Sequence, residues 1–147
     1  MNNNLTEEDL AAIQREEEIA ILKKSYNDQI AIANTYNGYI NNYDSFKGYL
    51  KIFQGVLVDL ATKISSAQYY YLSGGYKLED GTTYGTTLDN GLLQSLLEGI
   101  DNINKGIIGI LEYVDNKNIE LQGKYNYYDE CAKSNKNTLW NSYGVSV

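Results

Sequence analysis

Few residues in this chain have side chains that could support catalysis. The 147 residues contain one cysteine and no histidine. Without histidine, these residues cannot form a histidine acid or base, a Ser-His-Asp triad or a histidine metal site. Cys131 falls on a predicted heptad core position, where we expect a buried, unreactive thiol. The acidic pairs Asp129-Glu130 and Glu79-Asp80 are adjacent residues, which do not face each other on a helix. We therefore expect no enzyme activity, no cofactor and no metal.

Tyrosine is the unusual residue, with 15 copies in the chain. Tyrosine and tryptophan offer a large contact area with a polar end, and they are enriched at binding surfaces. The aromatic residues form three groups: Tyr69, Tyr70, Tyr71, Tyr76 and Tyr84; Tyr125, Tyr127 and Tyr128; and Trp140 with Tyr143. We expect the first or the second group to be a recognition surface. The alternative is that about half of the tyrosines simply line the helix interface.

Charge and hydropathy argue against nucleic acid and membrane as partners. The net charge is −7, and the 12 basic residues are scattered, whereas phosphate backbones and anionic lipids attract clustered lysine and arginine. The most apolar segment, Gly106 to Leu111, is far shorter than the roughly 18 residues of a spanning helix. No signal peptide is visible at the polar N-terminus. We expect the protein to be cytoplasmic before export and, if secreted, to leave the cell without a conventional signal peptide.

The elements that would hold these residues are two long amphipathic helices. Along the second helix, apolar residues recur with alternating steps of three and four, which is the signature of a heptad seam. The main series is Leu93, Ile100, Ile107, Val114, Leu121 and Tyr128, and the interleaved series is Leu96, Ile103, Ile110, Lys117, Lys124 and Cys131.

A matching seam runs along the first helix. Thr6 and Asp9 resemble a capping box at its start. The polar residues 34–45 are poor helix formers, so the sequence does not decide whether the helix is kinked there. Two successive steps of three near Tyr43 predict a local change of register. The predicted seam is Leu22, Tyr26, Ile30, Ala33, Tyr36, Ile40, Tyr43, Phe46, Leu50, Phe53, Leu57, Leu60, Ile64, Ala67 and Tyr71.

Glycine and threonine dominate residues 73–87, which predicts a turn at Leu72, Gly74 and Gly75 and permits a small β-hairpin. The sequence therefore predicts an all-α antiparallel two-helix hairpin, a single elongated domain over 1–147. Its first helix covers about 6–72 and its second about 88–141, with Gly144 as the stop. Facing residue numbers should sum to about 160. This rule pairs Gly55 with Gly106, Ala61 with Gly99, Tyr36 with Tyr125, Tyr49 with Tyr113, and Leu22 with Thr138 and Leu139, while residues 5–20 overhang or fold back.

Both apolar stripes are wider than one helix pair can bury, because they spread into neighbouring positions such as Ile32, Val56 and Ile108. Surplus apolar surface on a two-helix rod usually indicates a partner. We expect either dimerisation into a four-helix bundle or docking on another helical protein. The predicted partner-binding residues are Tyr36, Leu50, Leu57, Ile64, Leu93, Ile100, Ile103, Ile107, Ile110, Val114, Leu121 and Tyr128.

Two short motifs carry a resemblance to a known family. Tyr125 and Asp129 form a Tyr-x-x-x-Asp late in the second helix, and Leu72-Ser73-Gly74 stands at the predicted turn. With the acidic hairpin architecture, the chain resembles the WxG-type substrates and helical partner proteins of the bacterial type VII secretion system, including partners of Leu-x-Gly toxins. The resemblance implies that Tyr125 and Asp129 belong to an export signal. It also implies that the hairpin pairs with the helical region of an exported toxin or with a second small helical protein.

Two other interpretations remain open. The chain could be a structural or scaffolding coiled coil that assembles with itself through the same seams. Less favoured by the acidic charge is a membrane-active helical hairpin that uses the segment from Gly106 to Leu111.

Overall fold

The fold is an all-α helical hairpin, as predicted. The computed structural model describes residues 4–72, 76–77, 83–84 and 90–147, with side chains for 4–66 and 91–147. The elements are α1 (Glu7–Leu72), β1 (Tyr76–Lys77), β2 (Thr83–Tyr84) and α2 (Asn90–Tyr143). The chain divides into two compact units: unit 1 comprises Met1–Asn42 and Lys117–Val147, and unit 2 comprises Tyr43–Asn116.

The start of α1 is fixed by the predicted capping box. The backbone N–H of Asp9 donates to Thr6 Oγ1, and the backbone N–H of Thr6 donates to Asp9 Oδ2, both at 3.1 Å. These bonds satisfy helix donors that have no partner in the first turn. The hydrogen bonds from the Thr6 backbone and side chain also lower the pKa of the Asp9 carboxyl. From this cap α1 runs as one uninterrupted helix through the polar residues 34–45.

The end of α2 is fixed by a glycine cap. Gly144 has a φ of +67°, and its N–H donates to the Trp140 carbonyl at 2.9 Å. The N–H of Val145 donates to the Leu139 carbonyl at 2.9 Å. A left-handed residue after the last turn satisfies carbonyls that have no partner within the helix, and glycine adopts it without steric cost. The predicted stop at Gly144 is confirmed.

A short β-hairpin lies between the helices. β1 and β2 are antiparallel, with Tyr76 opposite Tyr84 and Lys77 opposite Thr83. Leu72, a predicted turn residue, is the last residue of α1. The other two predicted turn residues, Gly74 and Gly75, lie outside the described residues.

In unit 2 the packed residues of both helices alternate strictly in steps of three and four. The apolar centre is formed by Leu57, Ile107 and Val114, which are at most 6 % exposed. Gln54 Nε2 donates to Asn104 Oδ1 at 3.1 Å, and Lys47 forms a salt bridge with Asp115. The seam, which is the set of packed positions, consists of residues 43, 47, 50, 54, 57, 61 and 64 on α1 and 93, 97, 100, 104, 107, 111 and 114 on α2.

This alternation corrects part of the predicted seam. The main series on the second helix is confirmed, but the interleaved series and the change of register near Tyr43 are wrong. A seam between two long helices stays continuous only if the mean step is near 3.5, so the packing keeps the alternation and accepts polar residues that can pair with each other. The residues that point outward instead are Phe46, Phe53 and Leu60 on α1 and Leu96, Ile103 and Ile110 on α2, each 43–55 % exposed.

Unit 1 has a core of smaller and more polar residues. Ala132 and Leu139 are fully buried, and Ala33 is 2 % exposed. Asn135 Nδ2 donates to Ser25 Oγ at 3.1 Å and to Gln29 Oε1 at 2.8 Å. Because buried polar groups are costly without partners, these bonds specify which residues of the two helices meet.

In unit 1 the start of α1 is joined to the end of α2 by a clamp, which consists of Arg15, Glu18 and Tyr143. Tyr143 Oη donates to Glu18 Oε2 at 2.6 Å, Arg15 Nη2 donates to the Tyr143 carbonyl at 3.1 Å, and the Arg15 guanidinium lies 5.2 Å from the Tyr143 ring centroid. The predicted overhang of residues 5–20 is therefore wrong for Arg15 and Glu18, because α2 extends far enough to pair with them.

The facing rule holds within each unit, but its predicted close approach of glycines and its contact of Tyr49 with Tyr113 are wrong. Gln54 meets Asn104 and Glu18 meets Tyr143, in line with the rule. Gly55 and Gly106 are exposed, and a Cβ added to either would meet no atom within 4 Å, so they do not bring the backbones together. Tyr49 and Tyr113 are 72 % and 55 % exposed, since both lie outside the seam. Tyr36, which the rule places opposite Tyr125, stacks on Tyr128.

Candidate partner-binding surfaces

The largest unpartnered feature of the described residues is an apolar face on unit 2. Two heptad rows on each helix form it. Its ten side chains are at least 43 % exposed although all are large and apolar. We call this set the apolar face: Phe46, Tyr49, Phe53, Val56 and Leu60 from α1, and Leu92, Leu96, Ile103, Ile110 and Tyr113 from α2.

Both helices present these residues at the same edge of the seam. The opposite edge is marked by a groove of about 160 Å³ that Val58 of α1 and Asp101 of α2 line together. Val58 follows the seam residue Leu57, and Asp101 follows the seam residue Ile100. The residues that directly precede a seam residue, such as Phe53 and Ile103, therefore lie at the other edge on both helices.

The apolar face is almost free of charge. Heptad spacing places the charged residues of 91–116 on the other sides of α2, and Asp101 pairs there with Lys105 at 2.9 Å. This contact raises the pKa of Lys105, mainly through the hydrogen bond that its ammonium group donates to the Asp101 carboxylate. On α1, Asp59 and Lys63 lie beside Leu60 and pair with each other at 2.9 Å. The face can therefore be covered without stripping water from an unpaired charge.

A shallow trough runs along the α2 side of the apolar face. Gly99 and Gly106 occupy the heptad row of Leu92 and Tyr113, and a Cβ added to either glycine would meet no atom within 4 Å. Glycine inside a helix costs about 1 kcal/mol relative to alanine. Open space beside Gly99 and Gly106 means that packing within unit 2 does not compensate for this cost.

Unit 1 carries a different surface feature, an aromatic cluster around Tyr36. The rings of Tyr36 and Tyr128 stack with centroids 5.9 Å apart, and Lys124 Nζ lies 5.6 Å from the Tyr36 centroid. Tyr39 and Tyr127 meet this pair edge-on, at 6.3 Å from Tyr36 and 5.1 Å from Tyr128. The rings contact one another while Tyr39 and Tyr127 remain 49 % and 62 % exposed, so these tyrosines contribute to packing as well as to the surface.

The predicted export motif lies beside this cluster. Tyr125 occupies a seam position and is half-buried. The Asp129 carboxylate is held by Lys133 at 2.7 Å and retains 26 % side-chain exposure, and its hydrogen bond raises the pKa of Lys133. Both side chains are only partly exposed. A protein that recognises this motif would therefore contact the edge of the helix rather than two free side chains.

The prediction of a core position for Cys131 is wrong. The adjacent Ala132 is fully buried, whereas Cys131 is half-buried on the flank. Cys131 lies near Tyr127, and the hydrogen bond between their side chains is the main cause of the raised pKa of the Tyr127 hydroxyl. The reason is the same seam alternation, which selects residues 128, 132 and 135 and leaves 131 to one side.

The structure separates the predicted partner-binding residues into three groups. Ile103 and Ile110 are exposed on the apolar face. Tyr36, Leu50, Ile64, Leu93, Ile100 and Tyr128 are half-buried between the helices. A partner could reach the third group only if the hairpin opened, because these side chains are at most 9 % exposed: Leu57, Ile107, Val114 and Leu121.

The α1 half of the apolar face was missed at the sequence level because its aromatic residues were placed in the seam. Phe46, Phe53 and Leu60 do recur every seven residues, as seam residues do. The missed signal is that the next row, Lys47 and Gln54, has complementary partners on α2 in Asp115 and Asn104.

Within the part of the chain that the structure describes, no group of three acidic or cysteine side chains could hold a metal ion. The described helices also contain no stretch long and apolar enough to cross a membrane. Comparison with protein-family models, curated proteins and solved structures finds no match for this chain.

Proposed function

We propose that this chain is a non-enzymatic helical partner that pairs with an exported effector of a type VII secretion system. The observation that carries the proposal is the apolar face of unit 2. Ten large apolar side chains remain at least 43 % exposed there after both helices have packed on each other. Monomeric proteins seldom leave such a surface uncovered, and helical partners cover it through heptad packing.

The location of the Tyr-x-x-x-Asp motif supports the secretion part of the proposal. Tyr125 and Asp129 belong to unit 1, whereas the apolar face belongs to unit 2. The apolar face and the motif therefore consist of different residues. The chain and its partner would then present the motif together with a signal on the effector.

The test is to co-express the chain with the helical region of a Leu-x-Gly toxin, chosen from a neighbouring gene if one encodes such a toxin, and to measure complex formation by size-exclusion chromatography with light scattering. We expect a defined complex that Ile103→Asp disrupts, because the substitution places an unpaired charge in the contact. Ile108→Asp is the matched control. Ile108 is 44 % exposed but lies on the opposite edge, so the complex should form normally.

Export is tested separately, by comparing culture supernatants of strains with and without a working secretion system. Tyr125→Ala and Asp129→Ala should reduce export of the effector while leaving the complex intact. The proposal is contradicted if the chain forms no complex with the toxin region or with any other helical effector region. Export of the effector that does not depend on the type VII secretion system would contradict it as well.

A self-assembling structural coiled coil is the second candidate. The absence of charge on the apolar face favours it, because two copies of a chain with net charge −7 can approach there without direct repulsion. This candidate predicts filaments or a stable homo-oligomer whose formation is unchanged by the effector region. Electron microscopy together with the mixing experiment would decide between the two candidates.

A further inference from the structure

The apolar face is large enough for a stable interface. Its ten side chains average about half exposure. Taking ~200 Å² for a large apolar side chain, the face offers roughly 1,000 Å². This exceeds the few hundred Å² of a usual surface patch and is comparable with the ~800 Å² that each partner buries in a standard protein complex.

The charge pattern of unit 2 identifies the kind of occupant. A partner recognised by charge would need charged side chains on or around the face. Among the side chains that the structure describes in unit 2, the two beside the face are Asp59 and Lys63, and they neutralise each other. The occupant should therefore present an apolar surface without charged side chains. A second copy of the chain does so, because its own apolar face is equally poor in charge. The acidic charges of both copies would then stay in solvent on the opposite edges.

The relief of the face is complementary to itself. Phe46, Phe53 and Leu60 form a ridge on α1, and Gly99 and Gly106 form the trough on α2. The contacts of Gln54 with Asn104 and of Lys47 with Asp115 show which residues lie at the same height in unit 2. By that register Phe53 is level with Gly106, and Leu60 is level with Gly99.

We propose that, when no effector is bound, a second copy of this chain covers the apolar face, with the two hairpins running in the same direction about a two-fold axis parallel to their helices. This symmetry places α1 of one copy on α2 of the other at equal height. Phe53 then packs on Gly106 and Leu60 on Gly99, twice per dimer. An axis perpendicular to the helices would instead place α1 on α1, where two ridges collide.

The inference rests on the proposed function only in using the same surface, and effector binding then replaces one copy by a different helical hairpin. The two ideas fail separately. A purified chain that stays monomeric overturns the dimer and leaves effector binding untouched. A dimer that never exchanges with any effector region overturns the proposed function alone.

The experiment is sedimentation equilibrium on the purified full chain over about 1–100 µM, a range that resolves micromolar dissociation constants. We expect a monomer–dimer equilibrium with little dependence on salt, because no charges meet in the contact. A chain that is monomeric throughout the range overturns the proposal. A dimer that dissociates steeply with salt overturns it as well.

Glycine substitutions test the arrangement. Gly106→Leu fills the trough and should weaken the dimer by at least about tenfold. Gly55→Leu is the matched control, since an added Cβ also meets no atom within 4 Å at this glycine and it lies on the opposite edge. Its dissociation constant should equal that of the unmodified chain. Gly106→Ala serves as a second variant if circular dichroism shows that the leucine variant is unfolded.

The double variant Phe53→Ala with Gly106→Leu distinguishes the two symmetries. If Phe53 of one copy packs on Gly106 of the other, removing the ring makes room for the leucine, and the double variant should recover most of the lost affinity. Equal effects of Gly106→Leu and Gly55→Leu, or a double variant weaker than both single variants, would overturn the parallel arrangement.

Discussion

The two units of this hairpin differ most clearly in one heptad row of α2. In unit 2 this row, which flanks the seam, reads Leu96, Ile103 and Ile110, all exposed. Seven residues further on, in unit 1, the same row continues as Lys117, Lys124 and Cys131. The secondary structure and heptad position are unchanged, but the side chains pass from apolar to mostly charged. The difference shows that the outward apolar residues of unit 2 are not a requirement of the helical hairpin.

The interiors of the two units also differ in the type of side chain that they pack. Unit 2 packs aliphatic residues such as Leu57 and Ile107 in its seam and leaves aromatic side chains outside. Unit 1 turns aromatic residues toward each other, as in the stacked pair Tyr36 and Tyr128, and closes its end with the clamp of Tyr143. Unit 1 thus pairs some of its aromatic rings with each other, whereas unit 2 leaves its large apolar side chains exposed along one edge of the seam.

The sharpest test of the unit 2 interior is Ile107→Asp. Ile107 is 4 % exposed, so the substitution buries an unpaired carboxylate and should destabilise the hairpin by about 4 kcal/mol or more. Urea unfolding followed by circular dichroism measures the loss. Ile108→Asp is the control, because Ile108 is 44 % exposed, and it should change the free energy of unfolding by less than about 0.5 kcal/mol. Equal losses would contradict the assigned seam.

Leu139→Ala tests the unit 1 interior in the same way. Leu139 is fully buried, so the cavity should cost about 3 kcal/mol. Hydrogen exchange should show faster exchange of amides in unit 1 and retained protection in unit 2. Trp140→Ala is the neighbouring control, since Trp140 is 61 % exposed. Uniform loss of protection along both units would mean that they unfold as one cooperative body.

Asn135→Ala removes the polar layer of unit 1. The variant loses two hydrogen bonds and leaves Gln29 Oε1 without its donor, which should cost about 1.5 kcal/mol by urea unfolding. Asn137→Ala, on the exposed side of the same helix, should be close to neutral. If both variants behave alike, the polar layer does not fix the register of unit 1.

The smallest expected effect is the pH response of the Tyr143 clamp. The hydrogen bond to Glu18, and then partial burial, raise the pKa of Tyr143 above its ordinary value of 10.0. A raised pKa in the folded state means that the clamp stabilises the fold at pH values below 10.0 and is lost as the pH rises through the raised pKa. The pKa of Tyr127 is raised as well, so absorbance titration of the tyrosines should show a late-titrating fraction that becomes smaller in Tyr143→Phe. An unchanged titration would contradict the clamp.

Local sequence signals were sufficient to predict the hairpin. The absence of proline, the capping box at Thr6 and Asp9, the glycine stop at Gly144 and the series from Leu93 to Leu121 all depend on local geometry or on spacing along one helix. Such signals can be read without knowing what lies opposite. The approximate facing rule follows from them as well, because a turn near residue 80 fixes which parts of two antiparallel helices meet.

Tertiary structure decided which of two adjacent heptad rows faces inward. Phe46 and Phe53 are more apolar than Lys47 and Gln54, so the sequence alone favours them for the interior. The packed hairpin buries the second row instead, because Lys47 meets Asp115 and Gln54 meets Asn104 across the seam. Pairing of polar groups depends on the opposite helix, and that information is absent from either stripe alone. The apolar face of unit 2 is the consequence of that choice.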